Sequence, residues 1–107
     1  MNENNLKTGW ISPNGDLWEC NVFDHIAKAD EIIDKYHYPT INHRSSDEVL
    51  MANGWVHISI SQLSHEYRIW WNKFLTLPQR NFLKQYFEND NIKVSFLDRI
   101  KWDKETD

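Results

Sequence analysis

Two short runs of alternating apolar and polar residues predict a β-hairpin over residues 54–72. Successive side chains of a strand point to opposite faces, so a period of two is typical of a strand with one buried face. One face of this hairpin is entirely apolar or aromatic: Val56, Ile58, Ile60, Tyr67, Ile69 and Trp71. We expect this face to lie on the core. The intervening residues 61–65 are polar and turn-like, apart from Leu63.

The opposite face of the hairpin is mixed and carries Trp55, His57, Ser59, Arg68 and Trp70. A Trp beside an Arg can form a cation–π pair, worth about 0.5–1 kcal/mol when exposed. Trp, Tyr and Arg are also the residues that dominate interface hot spots, which favours a partner-binding patch. The structural alternative is that another element covers these Trp side chains, because large aromatics are mostly buried.

A second, smaller hairpin is predicted over residues 9–21 from its turn, Ser-Pro-Asn-Gly at 12–15. Pro presets φ, and Asn-Gly tolerates positive φ. Asp24 is a candidate N-cap for a helix over about His25–Tyr36. Spacings of three and four predict that its buried stripe is Ile26, Ala29, Ile33 and Tyr36, and Glu31–Lys35 is a favourable i,i+4 pair.

Two further helices follow from capping-box patterns. Ser45 with Glu48 predicts a short helix over about Ser46–Ala52, closed by a left-handed cap at Asn53-Gly54. Thr76 with Gln79 predicts a helix that runs to about Glu88, with Leu83, Tyr86 and Phe87 as its inner stripe and Phe82 at the edge. Alternation of Ile92, Val94 and Phe96 predicts a last strand.

The element order β-β-α-α-β-β-α-β predicts an α+β fold. Its sheet is small and antiparallel, built from the two hairpins and the C-terminal strand, and packed against about three helices that lie mainly on one face. We expect one domain over residues 1–107, with 1–8 and 103–107 frayed.

The net charge of the chain bears on the class of partner that it binds. The chain of 107 residues has a formal net charge of −4, and residues 1–64 hold four Lys/Arg against nine Asp/Glu. A general nucleic-acid binder usually shows a basic patch or stripe, so this balance argues against one. The polar N-terminus and the lack of a run of about 18 apolar residues predict a cytoplasmic protein with no membrane partner.

No catalytic or metal-binding constellation is visible. The five histidines (His25, His37, His43, His57 and His65) form no HExxH motif and no cluster with cysteine. Cys20 is the single cysteine, which excludes an intramolecular disulfide. A Cys20/His25 nucleophile–base pair needs an activated thiol and an orienting group, and the alternative is a buried apolar thiol. We expect a non-enzyme without metal or cofactor.

The candidate binding residues are the mixed face of the central hairpin plus Tyr38 and Arg44 from the Tyr- and His-rich loop at 36–44. Aromatic and Arg side chains can stack on bases or anchor a protein, and the negative charge favours protein. The nucleic-acid alternative adds a basic C-terminal segment with Lys93, Arg99, Lys101 and Lys104. An exposed strand edge also permits homodimerisation.

Four short motifs resemble small phage and prophage accessory proteins: WISPNG at 10–15, HIAKA at 25–29, GWVHI at 54–58 and LTLPQ at 75–79. The resemblance implies an origin in a mobile element and binding to a host protein. Inhibition of a defence nuclease, in the manner of an anti-CRISPR protein, or of a transcription complex is the kind of role it implies. It transfers no catalytic residue.

Overall fold

The structure, a computed structural model, describes residues 8–90 apart from 22, 62, 64, 65 and 73. In chain order the elements are β1 (Gly9–Ile11), β2 (Leu17–Glu19), α1 (His25–Tyr36), α2 (Ser46–Ala52), β3 (Val56–Ser61), β4 (Glu66–Trp70) and α3 (Leu77–Asp90). The described strands form one antiparallel sheet of order β2-β1-β3-β4. The α+β prediction is therefore confirmed. The predicted strand at Ile92, Val94 and Phe96 lies outside the described residues, as do residues 1–7 and 103–107.

The predicted core face of the central hairpin is confirmed. Val56, Ile58, Tyr67 and Ile69 are buried in one cluster with Ile11 and with Leu83 of α3, and Ile60 and Trp71 pack against it. Tyr86 and Phe82 of α3 lie on the same cluster, and the Tyr67 and Tyr86 hydroxyls are hydrogen-bonded at 2.8 Å. The helix α3 therefore covers this face of the sheet.

The opposite face of the sheet is covered as well, so the expectation that the helices lie mainly on one face is wrong. Trp10 and Trp55 are fully buried there, in a second cluster with Ala29 and Ile32 of α1 and Leu50 of α2. The reason is the sheet order. Because β1 pairs with β3, the Trp10 indole lies beside the aromatic side chains of the central hairpin. Side chains of this size bury a large apolar area, and on this face α1 and α2 cover them.

The bounds of α1 agree with the prediction, but its side-chain contacts differ. Asp24 holds the N-cap position without a side-chain cap bond, because its backbone is not extended and its carboxylate accepts from the Asn21 amide at 3.2 Å. The buried residues of the helix are Ala29 and Ile32, whereas the predicted Ile26 and Tyr36 are exposed. The described ion pair of this helix joins Lys28 and Glu31 at 3.1 Å rather than Glu31 and Lys35.

The short helix α2 also has its predicted bounds and its predicted left-handed cap at Gly54, but its N-terminal cap differs. The Ser45 hydroxyl donates to Asp47, and the Glu48 carboxylate accepts the backbone N–H of Arg44 at 3.1 Å, so the predicted Ser45/Glu48 box is wrong. At the other end Trp55 N–H bonds to the Leu50 carbonyl at 3.0 Å and Gly54 N–H to the Met51 carbonyl at 3.1 Å. This is a Schellman motif, and Gly54, at φ 93°, takes its left-handed position.

The first turn of α3 joins three distant segments of the chain. The predicted box is formed: Gln79 N–H donates to the Thr76 hydroxyl at 3.2 Å, and Thr76 N–H donates to Gln79 Oε1 at 2.9 Å. The fully buried Gln79 amide also donates to the carbonyls of Ile11, Ser12 and Gly54 at 3.2, 3.1 and 2.8 Å. One side chain thus ties α3 to the end of β1 and to the chain that enters β3.

We expect Gln79→Ala to lower the free energy of unfolding by about 3 kcal/mol, because it removes the buried donor to the carbonyls of Ile11, Ser12 and Gly54 and the acceptor of the Thr76 N–H. Gln85→Ala on the exposed side of the same helix is the matched control and should change stability by about 0.5 kcal/mol or less. Urea unfolding of both variants measures the difference. Equal losses would show that the Gln79 amide does not hold the three segments together.

Candidate functional site

A row of aromatic side chains crosses the sheet on the face that α1 and α2 cover. In register, Trp10 of β1 lies opposite both Trp18 of β2 and His57 of β3, and His57 lies opposite Trp70 of β4. The His57 ring centroid is 4.7 Å from that of Trp10 and 5.1 Å from that of Trp70, on which it stacks. Directly opposed residues of an antiparallel pair are close enough for such contacts.

The start of α1 is fixed over this row. The His25 ring stacks on the His57 ring, with 4.6 Å between centroids and 22° between planes. The Trp10 indole N–H donates to the carbonyl oxygen of His25 at 2.9 Å, which satisfies a polar group on a buried ring. His57 is therefore enclosed by Trp10, Trp70 and His25, and only 7% of it is exposed.

A groove of about 560 Å³ opens above the row. Trp10, His25 and His57 form its floor, and α2 contributes Asp47 and Met51. Its rim is apolar and unusually exposed: Phe23 is 84%, Leu63 97% and Trp70 42% accessible. A concave site with apolar walls and a few polar groups has the make-up of a binding site.

Burial lowers the pKa of His57 to about 4, the neighbouring His25 lowers it as well, and the Asp47 carboxylate acts in the opposite direction. Removing a ring from water disfavours its charged form, which explains the direction of the main effect. At neutral pH the floor of the groove is therefore an uncharged imidazole stacked between aromatic rings.

The structure brings together part of the predicted site. His57 and Trp70 line the groove, and the exposed Arg68 lies two positions before Trp70 on β4, opposite Ser59. Arg44 is exposed at the start of α2, with its guanidinium 3.9 Å from the Glu48 carboxylate, and is not among the residues that line the groove.

Trp55 and Tyr38 have a structural place instead. Trp55 is fully buried, and its indole N–H donates to the Tyr38 hydroxyl at 3.1 Å. Tyr38 in turn stacks on Tyr36, with 5.5 Å between ring centroids. These contacts fasten the end of α1 to the sheet. For Trp55 the alternative that another element covers the side chain is the one observed.

Phe23, Asp47 and Leu63 were not predicted as groove residues, and His25 was considered only as a metal ligand or as the base of a pair with Cys20. Apolar residues in polar loops were the available signal for two of them: Phe23 stands just before α1, and Leu63 stands in the β3–β4 turn. Nothing local marks Asp47 or His25, because they reach the groove only through the placement of their helices over the sheet.

Three further observations concern the thiol of Cys20, metal binding and membrane-spanning helices. Burial raises the pKa of the Cys20 thiol, opposite to the direction that a nucleophilic cysteine requires. No group of three or more His, Cys, Asp or Glu side chains within the described part of the chain is arranged to hold a metal ion. Within the same part, every helix is too short or too polar to cross a bilayer.

Comparison of the chain with protein-family models, with curated proteins and with solved structures gives no match. The resemblance to phage accessory proteins therefore stays a prediction.

The pKa of His57 predicts a pH-dependent stability. Since the folded state holds this pKa at about 4 against an ordinary 6.5, the unfolded chain binds the proton more tightly between those values. The stability that a neutral His57 provides is therefore complete above pH 6.5 and falls as the pH drops toward 4.

We expect the wild type to lose about 2 kcal/mol more than His57→Phe between pH 6.5 and 5, at about 1.4 kcal/mol per unit. Urea unfolding across that range measures the difference, and a phenyl ring preserves the stack. Parallel pH profiles for the two proteins would contradict the prediction.

Proposed function

We propose that this protein acts by binding a protein partner through the groove above the aromatic row. The observation that supports the proposal most directly is the exposed apolar rim of Phe23, Leu63 and Trp70 around a buried aromatic floor. Single exposed apolar residues are normal on a protein surface. Three that converge on one concave site are typical of an interaction surface, and aromatic anchors supply much of the energy of such interfaces.

The floor of the groove is preorganised for binding. The rings of His57, His25, Trp10 and Trp70 hold one another in place, and the Trp10–His25 hydrogen bond fixes the start of α1. A partner that docks there immobilises few side chains of this protein, so less conformational entropy opposes the association. The rim residues are the part that a partner would order.

The identity of the partner class comes from the resemblance of the four motifs. On that basis the proposed partner is a host-cell protein in the cytoplasm, such as a defence nuclease that an anti-CRISPR-like protein inhibits, or a transcription complex. The groove supplies the place of contact in this proposal, and the resemblance supplies the kind of partner.

One observation favours the nucleic-acid alternative. Arg68 and Trp70 are neighbours on one face of β4, and both are exposed. An Arg beside an aromatic ring can stack on unpaired bases, and such binding weakens steeply as salt rises. The Asp47 carboxylate in the groove and the net charge of −4 oppose a polyanion, so protein remains the proposed partner.

A matched pair of variants tests the proposal. Phe23 and Phe74 are 84% and 88% exposed, and only Phe23 is among the residues that line the groove. In nuclease-treated lysate of a candidate host, we expect tagged wild type and Phe74→Ala to retain the same protein complex, and Phe23→Ala to retain at least fivefold less. Quantitative mass spectrometry measures the recovery.

Two outcomes would contradict the proposal. Equal recovery with Phe23→Ala and Phe74→Ala would remove the groove as the contact site. Recovery that nuclease treatment abolishes, together with affinity that falls steeply with salt, would favour the nucleic-acid alternative. Circular dichroism of each variant separates loss of binding from loss of fold.

A further inference from the structure

The walls of the groove share a chemical property beyond being apolar. The exposed rings of Phe23 and Trp70 line it, and the faces of aromatic rings carry a negative electrostatic potential that attracts cations. His57 adds no opposing positive charge at neutral pH, since its pKa is about 4. Surfaces of this kind bind organic cations when a carboxylate lies close by.

The groove holds such a carboxylate. Asp47 lies in the first turn of α2. Its Oδ1 atom accepts the Ser45 hydroxyl and the Glu48 backbone N–H, so the carboxylate is held in one orientation. The described residues that line the groove include no Lys or Arg.

The wider charge distribution points the same way. All of the described lining residues except Trp70 come from residues 1–64, which hold nine Asp/Glu against four Lys/Arg. A concave site with low-dielectric walls concentrates the field of the Asp47 carboxylate that lines it. A cation is the charged group that this field attracts.

We propose that the groove takes an arginine side chain of the partner, presented on a segment with apolar neighbours. The guanidinium stacks on the exposed Trp70 ring and bonds to the Asp47 carboxylate, and the apolar neighbours pack on Phe23 and Leu63. Arginine fits better than lysine because its planar group stacks on rings, is weakly hydrated and pairs with a carboxylate through two N–H groups. This inference rests on the proposed function, whose groove it assigns to one chemistry.

Arg68 provides the opposite possibility. It lies outside the groove lining, opposite Ser59, on the strand that carries Trp70. An acidic segment of a partner would pair with Arg68 and avoid Asp47. The sign of the charge that the groove prefers therefore decides between the two arrangements.

Three short peptides test the charge preference: acetyl-Leu-Arg-Leu-amide, the same peptide with citrulline, and the same peptide with glutamate. Citrulline keeps the shape of arginine and removes its charge. Titrations at pH 7, followed by NMR of the Trp10 and Trp70 indole N–H groups, give each dissociation constant. We expect the arginine peptide to bind at least fivefold more tightly than the citrulline peptide and more tightly still than the glutamate peptide.

Asp47→Asn should abolish the preference for arginine, because an amide keeps the acceptor that Ser45 and Glu48 use and loses the charge. Asp34→Asn, at an exposed position of α1 outside the groove, removes the same charge and should leave the preference within twofold. Equal losses in the two variants would mean a long-range effect of net charge and would overturn the assignment to Asp47.

The remaining outcomes are equally decisive. Equal binding of arginine and citrulline, a preference for glutamate, or no shift with any peptide would each overturn the arginine assignment. A failure of the lysate experiment together with a clear arginine preference would overturn the proposed partner and keep the site. The reverse pattern would keep the docking groove and discard its cation chemistry.

Discussion

The structure depends on one buried amide. Gln79 stands in the first turn of α3, completes the cap of that helix, and donates to the carbonyls of Ile11, Ser12 and Gly54. Those carbonyls belong to the end of β1 and to the segment that enters β3, so the same side chain sets α3 against the sheet. Buried polar groups of this kind must be satisfied together, because each unpaired member costs the full desolvation of the group.

The hydrogen bonds of the Gln79 side chain also explain the short motifs of the sequence. WISPNG, GWVHI and LTLPQ provide the partners of the Gln79 amide, and Thr76 of the last motif donates to the Pro13 carbonyl at 2.7 Å. HIAKA contains His25, which stacks on His57, and the buried Ala29. All four motifs therefore contribute residues to the packing or hydrogen bonding of this fold.

The groove forms where α1 and α2 cover one face of the sheet. Placing β1 beside β3 aligns Trp10 with His57 and Trp70, and α1 then covers the row from its first residue. This arrangement removes the His57 imidazole from water, which lowers its pKa to about 4, so the ring is neutral at physiological pH. The result is an aromatic floor held by ring contacts, with an apolar rim and a carboxylate that two hydrogen bonds orient.

The sequence by itself determined the elements: the alternation of β3 and β4, the Ser-Pro-Asn-Gly turn, the bounds of α1 and α2, and the Thr76/Gln79 cap. These features depend on residues within about four positions of one another, where backbone geometry dictates the pattern. Only the tertiary structure decided that β1 pairs with β3, that helices cover both faces, and that Trp55 is buried while Phe23 and Leu63 are exposed. It also decided that His25 stacks on His57 and that Asp47 lines the same groove. Such outcomes depend on contacts between segments distant in the chain, and local periodicity carries no information about which buried face meets which partner.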